Sequence, residues 1–169
     1  MAKQATTAPY RWSSALRTNF LAAASLLATP AAAAAPNGAA IFTARCIACH
    51  QADATGADGL APSLAGTLKD HLASGEGKQY LSQILVSGMA GRIESQGRVV
   101  VGMMPNFRAD LTDAEIAAVV NYVLGHFNGV ASAGPAAPIT PAAVAAARDA
   151  APTPTDTRKL REKIKAAAK

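Results

Sequence analysis

The pentapeptide Cys46-Ile47-Ala48-Cys49-His50 constrains this chain more than any other stretch. On a helix, positions i, i+3 and i+4 share one face, so Cys46, Cys49 and His50 are directed at a single object. The spacing C-x-x-C-H is the pattern for covalent haem attachment. Two sulfurs add to the two vinyl groups of the porphyrin, and the adjacent imidazole coordinates the iron from the same side. The competing chemistries are a disulfide, half of a zinc site and a thioredoxin-like dithiol. The chain holds two Cys and three His. Two further His and no further Cys do not complete a tetrahedral zinc site, whose ligands usually come in close pairs.

At 169 residues there is room for one ordinary domain and some extra sequence. Half the residues are hydrophobic, but many of these are alanine, and aromatics make up 5%. The core is therefore expected to be small and to gain from a large buried apolar ligand, which a haem is. Both cysteines fall in one motif, so no disulfide framework staples the fold.

Residues 1–34 read as an export signal. Lys3, Arg11 and Arg17 stand there without an acid, before the apolar stretch Phe20 to Ala28, Pro30 and a run of alanines. That stretch is shorter than the ~20 apolar residues that span a bilayer. The alanines suit cleavage after Ala34, and the lack of an Arg-Arg pair points to the general secretory route and a periplasmic location. An uncleaved membrane anchor is the alternative, against which Pro30 counts.

Residues 36–130 read as one compact helical domain. Asn37 is placed to cap a helix from Gly38 that runs into the Cys46–His50 motif. Residues 51–67 form a loop containing Pro62. Lys78 to Ser87 carry a second helical pattern, with Tyr80, Leu81, Ile84 and Leu85 on one side. Gly88, Gly91, Gly97 and Gly102 punctuate an irregular stretch with a short β-like run at Arg98 to Val101. Thr112-Asp113-Ala114-Glu115 is a capping box, opening a helix through Ile116, Val119, Val120, Tyr122 and Val123 that stops near Gly125 or Gly129.

Residues 131–169 read as an Ala/Pro-rich linker and a basic tail. Within it, Thr140-Pro141 can start a short helix with Ile139 and Val144 as a hydrophobic staple, and Arg158 to Lys165 has helical potential. The formal charge of the chain is +5 but unevenly spread: seven basic residues against three acids from 131 onward, six against eight over 36–130. One reading of the tail is a solvated extension. The other is an electrostatic arm for an acidic redox partner or anionic lipid.

The order Gly38-x-x-Ile41-Phe42, C-x-x-C-H, Pro62-x-Leu64, Met104-Pro105-x-Phe107 and a capped last helix resembles small class I c-type cytochromes of bacteria. The resemblance implies an all-α class I cytochrome c fold with one covalent haem c. Cys46 and Cys49 would form the thioethers, His50 would be the proximal iron ligand, and Met104 the sixth. It nominates the Pro62 carbonyl as acceptor of the second His50 ring N–H, and packs Gly38, Phe42 and Tyr122 at the crossing of the terminal helices. A neutral thioether favours ferrous iron and raises the potential. Pro105 pushes Met104 toward an extended conformation. Met103 and Met89 are the rival thioethers, and the Met-Pro order favours Met104. His71, read as exposed in a polar stretch, and His126, after the last helix, are the rival imidazoles.

The implied function is one-electron transfer in the periplasm, with no catalytic residue, between a donor dehydrogenase or quinol-oxidising complex and an acceptor oxidase. The alternatives are the cytochrome subunit of a periplasmic oxidoreductase, docked through Leu160 and Ile164 of the tail, and a haem sensor or peroxidase with an open sixth position.

Overall fold

The computed structural model describes residues 34–131 and 137–167. Most of the segment read as an export signal therefore lies outside the described residues. Helix α1 (Gly38–Arg45) starts where Asn37 Oδ1 accepts the Ala40 N–H at 3.1 Å, and α2 (Ile47–His50) follows after a break at Cys46. A loop and a short 3-10 turn (Lys69–Ala73) lead to α3 (Gly75–Ser87), capped by Ser74. Strands β1 (Met89–Ser95) and β2 (Arg98–Met104) form an antiparallel hairpin, and α4 (Asp113–Asn128), α5 (Pro141–Ala150) and α6 (Pro154–Ala167) complete the chain. No described helix is long and apolar enough to cross a membrane.

The core gathers where α1 crosses α4. A Cβ on Gly38 would lie 2.3 Å from the Ala118 carbonyl oxygen and 2.8 Å from Tyr122 Cβ, so only glycine lets the two backbones approach this closely. Phe42 then meets Tyr122 and Phe127 at ring distances of 5.8 and 5.2 Å. Helix α4 carries both halves of its capping box. Thr112 N–H donates to Glu115 Oε2 at 2.8 Å, Glu115 N–H donates to Thr112 Oγ1 at 3.3 Å, and Gly129 ends the helix at φ 64°. Its buried face (Ile116, Ala117, Val119, Val120, Val123 and Leu124) follows the helical period.

Two expectations need correction. The chain is mostly helical, as the fold class expects, but the glycine-punctuated stretch is not irregular: it is a hairpin in the register Met89↔Met104 to Ser95↔Arg98. Gln96 and Gly97, at φ 52° and 73°, make the left-handed two-residue turn that fits the twist of an antiparallel pair.

Nor is 131–169 a linker with a solvated tail, because both of its described helices pack on the domain. Thr140 caps α5, with Pro141 at the first helical position, and Ile139 and Val144 are both fully buried as a staple. The Asn121 amide closes a two-way bond with the Ile139 backbone at 2.7 and 3.1 Å. Arg148 donates to Asp113 at 2.8 Å and to the Leu111 carbonyl at 3.0 Å. Thr153 and Asp156 cap α6 with the same device as Thr112 and Glu115. Arg161 and Lys165 then both donate to the Glu94 carbonyl, at 3.0 and 2.8 Å. This cover explains why α3 buries Ser82, Gln83 and Ser87 on the side away from the core, with Gln83 Nε2 donating to Thr157 Oγ1 at 3.2 Å. Within the chain, Arg148, Arg158 and Lys163 pair with carboxylates and Arg161 and Lys165 donate to the Glu94 carbonyl.

Candidate haem site

Cys46 closes α1 and opens α2. Its N–H donates to the Phe42 carbonyl and its carbonyl accepts from His50 N–H, both at 2.9 Å, so the helical bonding runs through the break. The three side chains of the motif thus stay on one side. Cys46 is half-buried, Cys49 is exposed, and the two sulfurs are not joined to each other. Burial, with a lesser push from Cys49, raises the Cys46 thiol from 9.0 to about 11.

His50 is buried, with Nδ1 3.0 Å from the Pro62 carbonyl oxygen. A carbonyl only accepts, so Nδ1 carries the proton and Nε2 keeps its lone pair. Burial lowers the imidazole pKa further than the Pro62 bond raises it, which keeps the ring neutral. The loop bearing Pro62 is tied down at both ends. Gly56 N–H donates to the His50 carbonyl at 2.9 Å, and Asn128 brackets the far side through the Leu64 carbonyl and the Leu68 N–H at 3.0 and 2.9 Å.

Met104 ends β2. A Cβ on Gly88, at φ 69°, would lie 2.4 Å from the Met104 carbonyl oxygen, and Phe107 N–H donates to the Leu85 carbonyl at 2.7 Å. Glycine at 88 and proline at 105 therefore press the Met104 backbone against the end of α3.

These residues surround a crevice in two lobes. The outer lobe, about 820 Å³ and open to solvent, is walled by Leu60, Ala61, Pro62 and the inward face of the hairpin. The inner lobe, about 540 Å³ and likewise open to solvent, is walled by apolar side chains of α1, α3 and α4 and by Tyr80. Cys46, His50, Leu64 and Met104 border both lobes, and Cys49 borders the outer one. A basic ring nitrogen, a thioether and two sulfurs on one apolar slot fit a haem. Among the described residues, no three or more His, Cys, Asp or Glu are grouped to hold a bare metal ion.

Met89 is nearer to Met104 than their spacing in the chain suggests. It is the direct cross-strand partner of Met104 and lines the same outer lobe, while Met103 stands at the rim, 75% exposed. Neither His71 nor His126 lines the crevice. His126 is exposed and stacks on Tyr122 at 5.1 Å. His71 is not the exposed histidine its polar neighbours suggest. It stacks on Tyr80 at 5.2 Å, and both of its ring nitrogens are buried. Sequence reasoning missed Leu60, Ile93 and Val100 as walls, because they reach the slot only through the hairpin and its flanking loop.

The cytochrome c family model matches residues 35–126, and the chain belongs to that family. A cytochrome c-552 of Thermus thermophilus is 42% identical over 92 residues, covering 54% of this chain and 61% of that protein. A second Thermus thermophilus cytochrome c-552 is 42% identical over 87 residues, covering 52% and 65%. The fructose dehydrogenase cytochrome subunit of Gluconobacter japonicus is 34% identical over 97 residues, covering 54% and 18%. The chain thus spans less than two thirds of the length of these relatives. It is a class I c-type cytochrome, a family that holds haem c covalently.

Proposed function

We propose that this protein carries single electrons in the periplasm, with Cys46 and Cys49 as the thioether residues, His50 as the proximal ligand and Met104 as the sixth ligand. The observation that carries the reading is that His50 and Met104 both border both lobes of one apolar crevice, with Cys46 and Cys49 on its rim. Bound there, haem supplies an Fe(III)/Fe(II) couple whose potential is raised by a neutral thioether ligand.

The chain's own residues do the rest. The Pro62 carbonyl fixes the His50 tautomer and ring plane and adds basicity to Nε2. Burial keeps that ring neutral, the form that ligates. Gly88 and Pro105 limit the movement of the Met104 backbone, and α3 and α4 give the inner lobe its apolar walls. Held between His50 and Met104, residues fixed in this way, a haem would demand little rearrangement of the chain on reduction. No residue changes a substrate chemically.

The donor is a dehydrogenase or quinol-oxidising complex and the acceptor a terminal oxidase, reached after removal of residues 1–34. A second reading, as the cytochrome subunit of a periplasmic oxidoreductase, is favoured by the similarity to the fructose dehydrogenase cytochrome subunit. Stoichiometric co-elution of a catalytic subunit from the native host selects that reading, and a free monohaem protein selects the first.

The decisive measurement is an optical spectrum of the exported wild type beside Met104→Ala. The expected result is low-spin haem c, with the ferric iron–sulfur charge-transfer band present in the wild type and lost in the variant. Persistence of the band in Met104→Ala transfers the ligand role to Met89.

A further inference from the structure

Helix α6 turns one face toward β1. Arg158, Arg161, Glu162 and Lys165, at helical spacings of three and four, line an open hollow of about 1050 Å³ whose other wall is Arg92, Ile93 and Glu94 of β1. Gly91 lets the two elements close up, since a Cβ there would stand 3.3 Å from Arg158 Cδ and Nε. Ile93 also lines the outer lobe of the crevice, but none of the four cations of the hollow does.

Glu162 pairs with Arg158 of its own helix at 2.5 Å. Among the described residues, no carboxylate comes within ion-pair distance of Arg92, Arg161 or Lys165. Arg161 is the telling member, because it is only 9% exposed. A buried charge is ordinarily retained where an opposite charge meets it. One Arg161 N–H bonds the Glu94 carbonyl at 3.0 Å, and Lys165 bonds the same carbonyl at 2.8 Å. Those bonds hold both heads in place and leave their charge uncompensated. A guanidinium has five N–H donors and an ammonium three, so each keeps donors for a further acceptor.

What the hollow lacks is an anion with several acceptor oxygens. Four cations against two carboxylates leave two positive charges in excess. A phosphate group carries about −1.5 to −2 at neutral pH, with three acceptor oxygens. Guanidinium forks match phosphate oxygens two at a time, and the lysine adds a point charge. Cations on two facing elements also surround a single group better than they meet a flat surface. We propose that the hollow between α6 and β1 binds a phosphate group, with the buried Arg161 as its anchor and Arg92, Arg158 and Lys165 around it. The group comes from a free phosphate or from an anionic lipid headgroup. The family match ends at residue 126, so the α6 half of this site lies outside the shared pattern. None of its cations lines the haem crevice, and the site stands apart from the ligation proposed above.

The test uses the holoprotein at low ionic strength in a zwitterionic buffer. Inorganic phosphate is titrated by calorimetry into wild type, Arg161→Gln, Arg92→Gln and Lys69→Gln, the last an exposed lysine outside the hollow. The same proteins are sedimented with vesicles of equal parts phosphatidylglycerol and phosphatidylcholine. Saturable one-to-one binding of phosphate identifies a free phosphate as the source, and sedimentation with the vesicles alone identifies a headgroup. In whichever arm binds, Arg161→Gln should weaken binding by about tenfold, the worth of one charge-assisted hydrogen bond. Arg92→Gln should weaken it by about twofold to fivefold, as an exposed charge does. Lys69→Gln should leave it unchanged.

Binding in neither arm overturns the proposal. So does equal weakening by Lys69→Gln, which marks a general effect of net charge, or binding unmoved in both Arg161→Gln and Arg92→Gln, which puts the anion elsewhere. Retention by a poly-glutamate peptide, with neither phosphate source bound, marks an acidic protein partner and overturns it too. If Arg161→Gln does not fold, Arg92→Gln and Arg158→Gln against Lys69→Gln decide by the same criteria.

Discussion

Between Gly38 and Asn128 the helices meet through apolar side chains: Phe42 against α4, Leu81 of α3, and Val119 and Leu124 of α4, all almost completely buried. Beyond Val130, α5 and α6 reach the same body with fewer apolar groups. Ile139, Val144 and Ala147 are buried and Leu160 and Ile164 pack half-buried against the core, while much of the anchoring is polar: Asn121 to Ile139, Gln83 to Thr157, Arg148 to Leu111, Arg161 to Glu94. Apolar packing is spread over many weak contacts and leaves a slot that a flat ligand can fill. Polar anchoring concentrates stability in a few bonds, and removing one partner strands the other in a dry place. The two regions should therefore fail in different ways.

The largest effect is expected from replacing Cys46 and Cys49 together by serine. All covalent haem is lost, the two lobes are left unfilled, and the cooperative melt disappears. The mass of the denatured chain and a circular dichroism melt check this. A sharp melt without haem would mean that the apolar region does not depend on its ligand.

Next comes removal of residues 139–169. The polar side of α3 is then open to water and the Asn121 amide loses both bonds. The expected outcome is retained covalent haem with a melting temperature lowered by more than any single substitution below. Loss of haem attachment as well would show that the two regions do not fold separately.

Two substitutions on α4 sharpen the contrast. Leu124→Ala should cost about 2–5 kcal/mol through lost burial and the cavity left behind. Asn121→Ala, which strands the buried Ile139 N–H and C=O, should cost about 1–3 kcal/mol despite removing little apolar surface. Denaturant titration reads both. A near-neutral Asn121→Ala would refute polar anchoring.

The smallest effects concern the cap that both regions share. Thr112→Ala and Thr153→Ala should each cost about 1 kcal/mol. Thr112 and Thr153 hold the Glu115 and Asp156 carboxyls below their ordinary values of 4.5 and 3.8. Because the folded values are lowered, both caps contribute fully above those pH values, and the contribution is lost as pH falls through the lowered folded values. NMR titration should find each carboxyl moving upward in its own threonine variant and unmoved in the other.

The same contrast explains what could be read in advance. The helix through Val119 and the Cys46–His50 motif were legible because caps, period and ligand spacing are all local signals. The hairpin was not: Gly91 and Gly102 interrupt both strands, and the turn is Gln96-Gly97, not one of the commoner hairpin pairs. Residues 141–167 resemble a linker in composition, yet alanine is the best helix former and Pro141 sits at the helical position that tolerates proline. Their anchors were hidden because the partners are distant, 18 residues apart for Asn121 and Ile139 and 74 for Gln83 and Thr157. The crevice walls contributed by Leu60 and Ile93 were lost with the hairpin. His71 was misread because neighbouring polarity in the chain says little about which helix later covers a ring.

A ribbon of only two strands would ordinarily offer each outer flank to a passing chain. Here the Glu94 carbonyl on one flank is taken by Arg161 and Lys165, and on the other flank Val101 N–H donates to the Gly59 carbonyl at 3.2 Å. A neighbouring copy therefore finds no vacant backbone at these positions to extend the sheet, and the segment that presents Met104 is shielded from growing into a fibril.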